Sequence, residues 1–231
     1  MYYNDYVFIN YILPLIGLII TMLAQAYVNS NYNKYKNSGL SKKISGAEVA
    51  RKILDQNGLQ NIKIKEVSGK LTDHYDPKKQ EVSLSHDIYY GDTIAAASVA
   101  AHECGHAIQH KEGYTYLKIR TAIVPFVNFS TKIGYIVVII GLIFGFLNIA
   151  VLGLLLLLAM LFFQLITLPV EFDASKRAKY NLKTMQLISN NEIDDVSKML
   201  NAAALTYVAS LLTTLLQILR LALIVLGRRD D

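Results

Sequence analysis

The amino-acid sequence predicts an α-helical integral membrane protein, with about four transmembrane helices and a small α+β domain. Two observations lead to this fold class. The chain has 231 residues, of which 53% are hydrophobic, and the apolar residues are concentrated in long runs. A helix needs about 20 consecutive apolar residues to cross a bilayer, and several of these runs reach that length. The polar stretches between the runs instead show the short periodic patterns of soluble helices and strands.

Four apolar segments are predicted to cross or enter the membrane. The first is too long for the apolar core of a cleaved signal peptide, and no Lys or Arg precedes it, so we expect an uncleaved anchor. The apolar run from Gly134 to Pro169 is about twice as long as one crossing needs. Asn148 indicates a turn between two antiparallel helices in that run. The predicted membrane helices are residues 6–28, 128–147, 150–167 and 202–226.

The last apolar segment carries a stripe of polar residues. They recur at spacings of four, three, four and three, which places them on one face of a helix. A lipid-facing helix with scattered polar residues is the simpler alternative. An Arg in contact with lipid is costly, however, so we predict that the stripe faces protein or a wet cavity. The stripe consists of Thr206, Ser210, Thr213, Gln217 and Arg220.

Two polar segments, residues 29–120 and 168–201, are predicted to form the soluble part of the protein. In the first of them Ser45 begins a helix, and Asp92 begins a longer helix that ends at Gly113. Short strand-like runs lie between these two helices, at residues 62–67 and 82–85.

The longer helix carries the motif His102-Glu103-Cys104-Gly105-His106. Residues four positions apart lie on the same helix face, so both imidazoles can point at one metal ion. Glu103 projects beside them and can take a proton from a water that a zinc ion has made more acidic. Gly105 keeps the helix surface next to the metal thin. The alternative is a buried helix with two structural histidines.

A catalytic zinc ion usually has three protein ligands and one open position, so a third ligand must come from elsewhere. His110 follows His106 by four residues. A helix drifts by about 40° and rises about 6 Å over each such step, so three histidines at this spacing would converge poorly on one ion. Glu171 is the better candidate, because it begins the polar segment that follows the long apolar run.

The motif belongs to a wider resemblance that covers most of the chain. The chain resembles the YugP-like neutral zinc metallopeptidases of bacteria, which are membrane relatives of the HtpX-type and CaaX-processing gluzincins. The matching stretches are DHYDP at 73–77, VAAHECGHAIQH at 99–110, VEFDAS at 170–175 and AAALTYVASLLTTLLQILR at 202–220.

The resemblance implies a zincin-like catalytic domain that holds one Zn²⁺ ion. Its ligands would be His102, His106 and Glu171, and Glu103 would be the catalytic base. The gluzincin pattern has an Asp four residues after the ligand Glu, where it orients a ligand histidine. This chain has Ser175 at that position, so the orienting role is open between Ser175 and Asp173.

The implied function is that of a membrane-bound zinc metalloendopeptidase, which hydrolyses peptide bonds in proteins or peptides at the membrane. One alternative is a non-enzymatic membrane protein with a structural metal site. Such a site usually has four protein ligands and would not need Glu103. Another is a zinc hydrolase of non-peptide substrates, because the motif specifies water activation and not the acyl group.

The net charge of +5 suits cytoplasmic loops and does not indicate a nucleic-acid surface. Oligomeric state is not encoded in any pattern we identify.

Three features next to the motif bear on the chemistry. Cys104, the single cysteine of the chain, lies about 160° around the helix from either histidine and is predicted to pack away from the metal. The strand at 82–85 is either an edge strand that pairs with substrate or an ordinary structural strand. The candidates for oxyanion stabilisation are His74, Tyr75 and Arg177.

Charge distribution predicts which side of the membrane carries the site. Lysines lie near both ends of the segment 29–120, whereas the residues before the first span include Asp5 and no basic residue. The positive-inside rule therefore places this segment in the cytoplasm. Glu171 must lie on the same side as the histidines, which requires an even number of crossings between them. A full crossing by the last helix would place Arg228 and Arg229 outside, against the bias.

Overall fold

The chain is mostly helical in a computed structural model, which describes residues 6–227. The helices are α1 (Leu13–Tyr35), α2 (Gly46–Gln56), α3 (His86–Tyr90), α4 (Ile94–Lys111), α5 (Thr115–Ile143), α6 (Leu147–Thr184) and α7 (Ile193–Gly227). The strands are β1 (Lys63–Val67), β2 (His74–Asp76) and β3 (Glu81–Ser85). A π-helical turn precedes α1 and a 3-10 turn precedes α7. Asp5, Arg228 and Arg229 lie outside the described residues.

Within the described residues, four helical stretches are long and apolar enough to cross a membrane, in agreement with the predicted number. Many of their large apolar side chains are exposed, as with Leu23 at 66% and Ile143 at 71%. Extended apolar surfaces of this kind are rare on soluble proteins and are typical of helices in lipid. The stretches are Phe8–Tyr35, Thr115–Ile143, Leu147–Thr184 and Asn190–Gly227.

The turn between α5 and α6 lies at residues 144–146. The sequence analysis had predicted it slightly later in the chain, at Asn148. Gly145 has a φ of 73°, which a glycine adopts at little cost, whereas Asn148 lies inside α6. The two helices approach each other closely after this turn. A Cβ atom on Gly141 would lie 2.4 Å from the backbone nitrogen of Ala150, so small residues permit the contact, as in other membrane helix pairs.

The third apolar segment and the polar segment after it form one continuous helix. The sequence separated residues 150–167 from residues 168–201, but α6 continues through Pro169 to Thr184. A proline removes one backbone donor, and strong helix formers such as Leu and Ala on both sides keep the helix intact. Glu171 therefore follows the apolar stretch on the same helix.

The structure divides into two compact units. The first contains the described residues up to Gln25, together with Ile119–Leu168 and the chain from Thr206. In this unit the polar stripe of α7 is partly buried except at Ser210. The Thr213 hydroxyl lies 3.2 Å from the Thr21 hydroxyl and donates to the Gly17 carbonyl at 3.4 Å. At Thr213 the stripe thus faces protein, as predicted.

The second unit contains Ala26–Lys118 and Pro169–Leu205, and it holds the sheet and most of the buried core. Ser45 caps α2 as predicted: its hydroxyl accepts from the Glu48 N–H, and the Glu48 carboxylate accepts from the Ser45 N–H at 2.7 Å. The cap of α4 is Thr93 and not Asp92. The Thr93 hydroxyl accepts from the Ala96 N–H at 3.2 Å.

The sheet has the strand order β1-β3-β2, so β3 is its central strand. It pairs in parallel with β1 and antiparallel with β2, and all five of its residues are buried. Of the two alternatives for the strand at 82–85, the ordinary structural strand is therefore confirmed and the edge strand is excluded. Strand β2 contacts α4. Its residues lie in the DHYDP stretch, which was not predicted to form a strand.

Candidate metal centre

Helix α4 presents the histidines of the motif from the centre of the second unit. Its first turns consist of small residues that are fully buried, from Ala95 to Ala101 apart from the partly buried Val99. This part of the helix therefore lies within the core of the second unit. His102 and His106 lie on one face, with ring centroids 4.8 Å apart and ring planes almost perpendicular.

The structure brings the three predicted ligands together. The Nε2 atom of His102 lies 3.2 Å from Oε2 of Glu171, and Nε2 of His106 lies 3.5 Å from the same oxygen. The ligand atoms of all three residues lie within 4.8 Å of one another. Two imidazole nitrogens and a carboxylate oxygen are a donor set that suits Zn²⁺ and leaves a coordination position open. The residues present therefore fit a zinc ion.

Close packing of α6 on α4 brings Glu171 to the histidines. Gly105 faces α6, and a Cβ atom at this position would lie 2.6 Å from the carbonyl oxygen of Ala174. The helices can approach this closely only because Gly105 has no side chain. Glu171 is almost fully buried, at 2% exposure, so its carboxylate is costly to hold there without cationic or hydrogen-bonding partners.

The outer nitrogen of each histidine also has a partner. The Ser175 hydroxyl lies 3.2 Å from Nδ1 of His102. Ser175 thus occupies the orienting position that the family pattern gives to an Asp, and it contacts the ligand histidine directly. Asp173, the other residue considered for this role, instead contacts Gln109 at 2.8 Å.

Gln109 is the functional candidate that sequence reasoning missed. Its Oε1 atom lies 3.0 Å from Nδ1 of His106, and its side chain is fully buried. Its position three residues after His106 placed it on the ligand face, and a polar amide within a buried helix was the signal that could have identified it.

The opposite flank of α4 faces β2. Successive helical residues are about 100° apart, so Glu103 and His110 both lie on the side of His102 that is away from Gly105. The Tyr75 hydroxyl, from β2, lies 2.9 Å from Nδ1 of His110. Burial and the nearby Asp76 raise the pKa of Tyr75 above its ordinary value, so it stays neutral and can donate. His110 is exposed and lies outside the three-residue cluster.

The other candidates have different surroundings. Cys104 is buried on the far side of α4, where its thiol donates to the Ala50 carbonyl at 3.6 Å, so its predicted packing role is confirmed. Burial raises the pKa of this thiol well above its ordinary value. Arg177 forms ion pairs with Asp173 and Glu112, so its guanidinium is already engaged.

Comparison with known proteins agrees with this geometry. Residues 10–226 match the sequence profile of a family described as "putative neutral zinc metallopeptidase". A protein of Bacillus subtilis (strain 168), described as "putative membrane protease YugP", is 48% identical over 219 residues, which are 95% of this chain and 97% of the relative. No solved structure matches the chain. The chain therefore belongs to the neutral zinc metallopeptidase family that the four sequence stretches had indicated.

Proposed function

We propose that the protein is a membrane-bound zinc metalloendopeptidase. The observation that carries the proposal is the convergence of His102, His106 and Glu171 on one point, with Glu103 next to the first histidine on the same helix. Family membership supports the same conclusion independently of the geometry. Three ligands and an adjacent carboxylate favour a hydrolase over a structural zinc site, which would use four ligands.

The chemistry divides between the ion and the residues of α4 and α6. His102, His106 and Glu171 would hold one Zn²⁺ ion, which supplies the Lewis acidity that makes water nucleophilic near neutral pH and polarises a carbonyl. Glu103 is 8% exposed. It takes a proton from the attacking water and then delivers that proton to the leaving amine nitrogen, which breaks the peptide bond.

We propose that β2 receives the substrate. It pairs with β3 on one side, and no named strand of the described residues pairs with its other side. A free strand edge can accept an extended peptide through backbone hydrogen bonds. β2 also lies on the Glu103 side of α4, as the contact between Tyr75 and His110 shows. A peptide on this edge would run past the catalytic carboxylate.

The decisive experiment compares wild type with Glu103→Gln, both purified in detergent. Both proteins should hold close to one zinc ion per chain, because Glu103 is not a ligand, while only wild type should digest an unfolded protein. Glu66→Gln, which changes an exposed carboxylate on β1, is the matched control and should cleave normally. Equal cleavage by wild type and Glu103→Gln would refute the mechanism.

We further propose that the site faces the cytoplasm, on the basis of the lysines that flank residues 29–120. Impermeant thiol labelling of intact cells tests this in a Cys104→Ala background. Suitable positions for single cysteines are exposed in the structure: Ser30, Asn148 and Lys179. Lys179 is preferred to the nearby Asn181, which is buried and would react poorly with the label. Labelling should occur only at Asn148. Labelling at Ser30 or Lys179 would place the site outside.

A further inference from the structure

We infer that Gln109 is a positioning residue that fixes which nitrogen of His106 is available to the metal. The inference rests on the proposed zinc site. It comes from the hydrogen bonds of a single side chain, which is fully buried between α4 and α6. Neither the sequence motif nor the family resemblance assigns a role to this residue.

The orientation of the Gln109 amide is determined by its partners. Its Nε2 atom lies 2.8 Å from the Val170 carbonyl oxygen and 2.8 Å from Oδ2 of Asp173. A backbone carbonyl can only accept a hydrogen bond, so the NH₂ group must face it. Arg177 donates to the same Asp173 oxygen, which confirms that this oxygen acts as an acceptor. Both N–H bonds of the amide are therefore used on α6.

The remaining amide atom determines the state of His106. Oε1 of Gln109 faces Nδ1 of His106 at 3.0 Å, and an amide oxygen can only accept. Nδ1 must then carry the proton. In a neutral imidazole this leaves the lone pair on Nε2, the atom that lies 3.5 Å from Glu171. Because metal ligation requires an unprotonated nitrogen, Gln109 selects Nε2 of His106 as the ligand atom.

His102 lacks an equivalent constraint. Its Nδ1 atom faces the Ser175 hydroxyl at 3.2 Å, and a hydroxyl can either donate or accept. Ser175 therefore supports the ring without selecting its tautomer. The two histidines of one motif are held by chemically different partners, and the loss of Gln109 should weaken the site more than the loss of Ser175.

The test measures zinc affinity by chelator competition for detergent-purified wild type, Gln109→Leu, Gln109→Glu and Ser175→Ala. Gln109→Leu should weaken zinc binding by about 10–100-fold, the usual effect of losing an outer partner of a ligand histidine. Gln109→Glu keeps an acceptor for His106 but loses the N–H groups that meet Val170 and Asp173, so it should recover part of this loss. Ser175→Ala should fall closer to wild type. Cys104→Ala, on the far side of α4, controls for loss of packing and should bind zinc normally.

Spectroscopy separates positioning from general stability. The absorption spectrum of the Co²⁺-loaded protein should change in Gln109→Leu and remain unchanged in Cys104→Ala. In zinc-loaded wild type with ¹⁵N-labelled histidine, the His106 proton should lie on Nδ1. Three results would overturn the inference. One is ligation of the metal through Nδ1 of His106. The others are equal zinc affinities for wild type and Gln109→Leu, or for Gln109→Leu and Gln109→Glu. Failure of wild type to bind zinc would instead refute the proposed function itself.

Discussion

The two flanks of α4 differ in how completely their polar groups are engaged. On the α6 side, the residues from Val170 to Ser175 contact His102, Gly105 and Gln109 through backbone and side chains. On the β2 side, Tyr75 contacts the exposed His110 through a hydrogen bond and a ring contact. The flank proposed to hold the metal ion thus has buried residues joined by several hydrogen bonds, whereas the contact described for the flank proposed to admit substrate involves the exposed His110. Burial and hydrogen bonding on the first flank suit a site that needs precise geometry.

Removal of a ligand should have the largest effect. Glu171→Ala, His102→Ala and His106→Ala should each reduce zinc affinity by more than the roughly 10–100-fold that loss of an outer partner costs. His110→Ala, on the β2 flank, should bind zinc normally. Metal analysis and chelator competition measure both. Retention of zinc in Glu171→Ala with loss in His110→Ala would reverse the assignment of the third ligand.

An added methyl group at the contact between α4 and α6 should have the next largest effect. Gly105→Ala places a Cβ atom 2.6 Å from the Ala174 carbonyl oxygen, and overpacking of this kind costs about 1–3 kcal/mol. Because Glu171 lies on the helix that must move, zinc affinity should fall together with the melting temperature. Gly39→Ala is the matched control, because an added Cβ there has no neighbour within 4 Å. Unchanged zinc affinity in Gly105→Ala would contradict the proposed dependence on close packing.

Loss of the β2 hydrogen bond should have the smallest effect. Tyr75→Phe removes a neutral hydrogen bond, which is worth about 0.5–1.5 kcal/mol. The variant should unfold at a slightly lower temperature and bind zinc as wild type does, because the hydrogen-bond partner of Tyr75 is His110 and not one of the proposed ligands. A loss of zinc affinity as large as that expected for Gln109→Leu would show that the two flanks are not functionally distinct.

Local patterns in the sequence predicted much of this protein correctly. The number of apolar helices follows from composition, since about 20 apolar residues suffice for one crossing. The Ser45 cap follows from residues that interact within one helical turn. The shared face of His102 and His106 follows from helical periodicity alone. Glu171, far away in the chain, was indicated by its position after the long apolar run and then by the family resemblance.

Contacts between distant segments had to come from the tertiary structure. Strand order depends on which strands pair along the two edges of β3. Strand periodicity does not encode this, so the sequence left open whether β3 lies at an edge or at the centre of the sheet. The approach of α6 to Gly105 and the burial of Gln109 against Val170 also join residues more than sixty positions apart. The sequence by itself determined the types of the candidate ligands and the helix that carries two of them. The tertiary structure decided how each candidate ligand is oriented, because orientation depends on partners that another helix supplies.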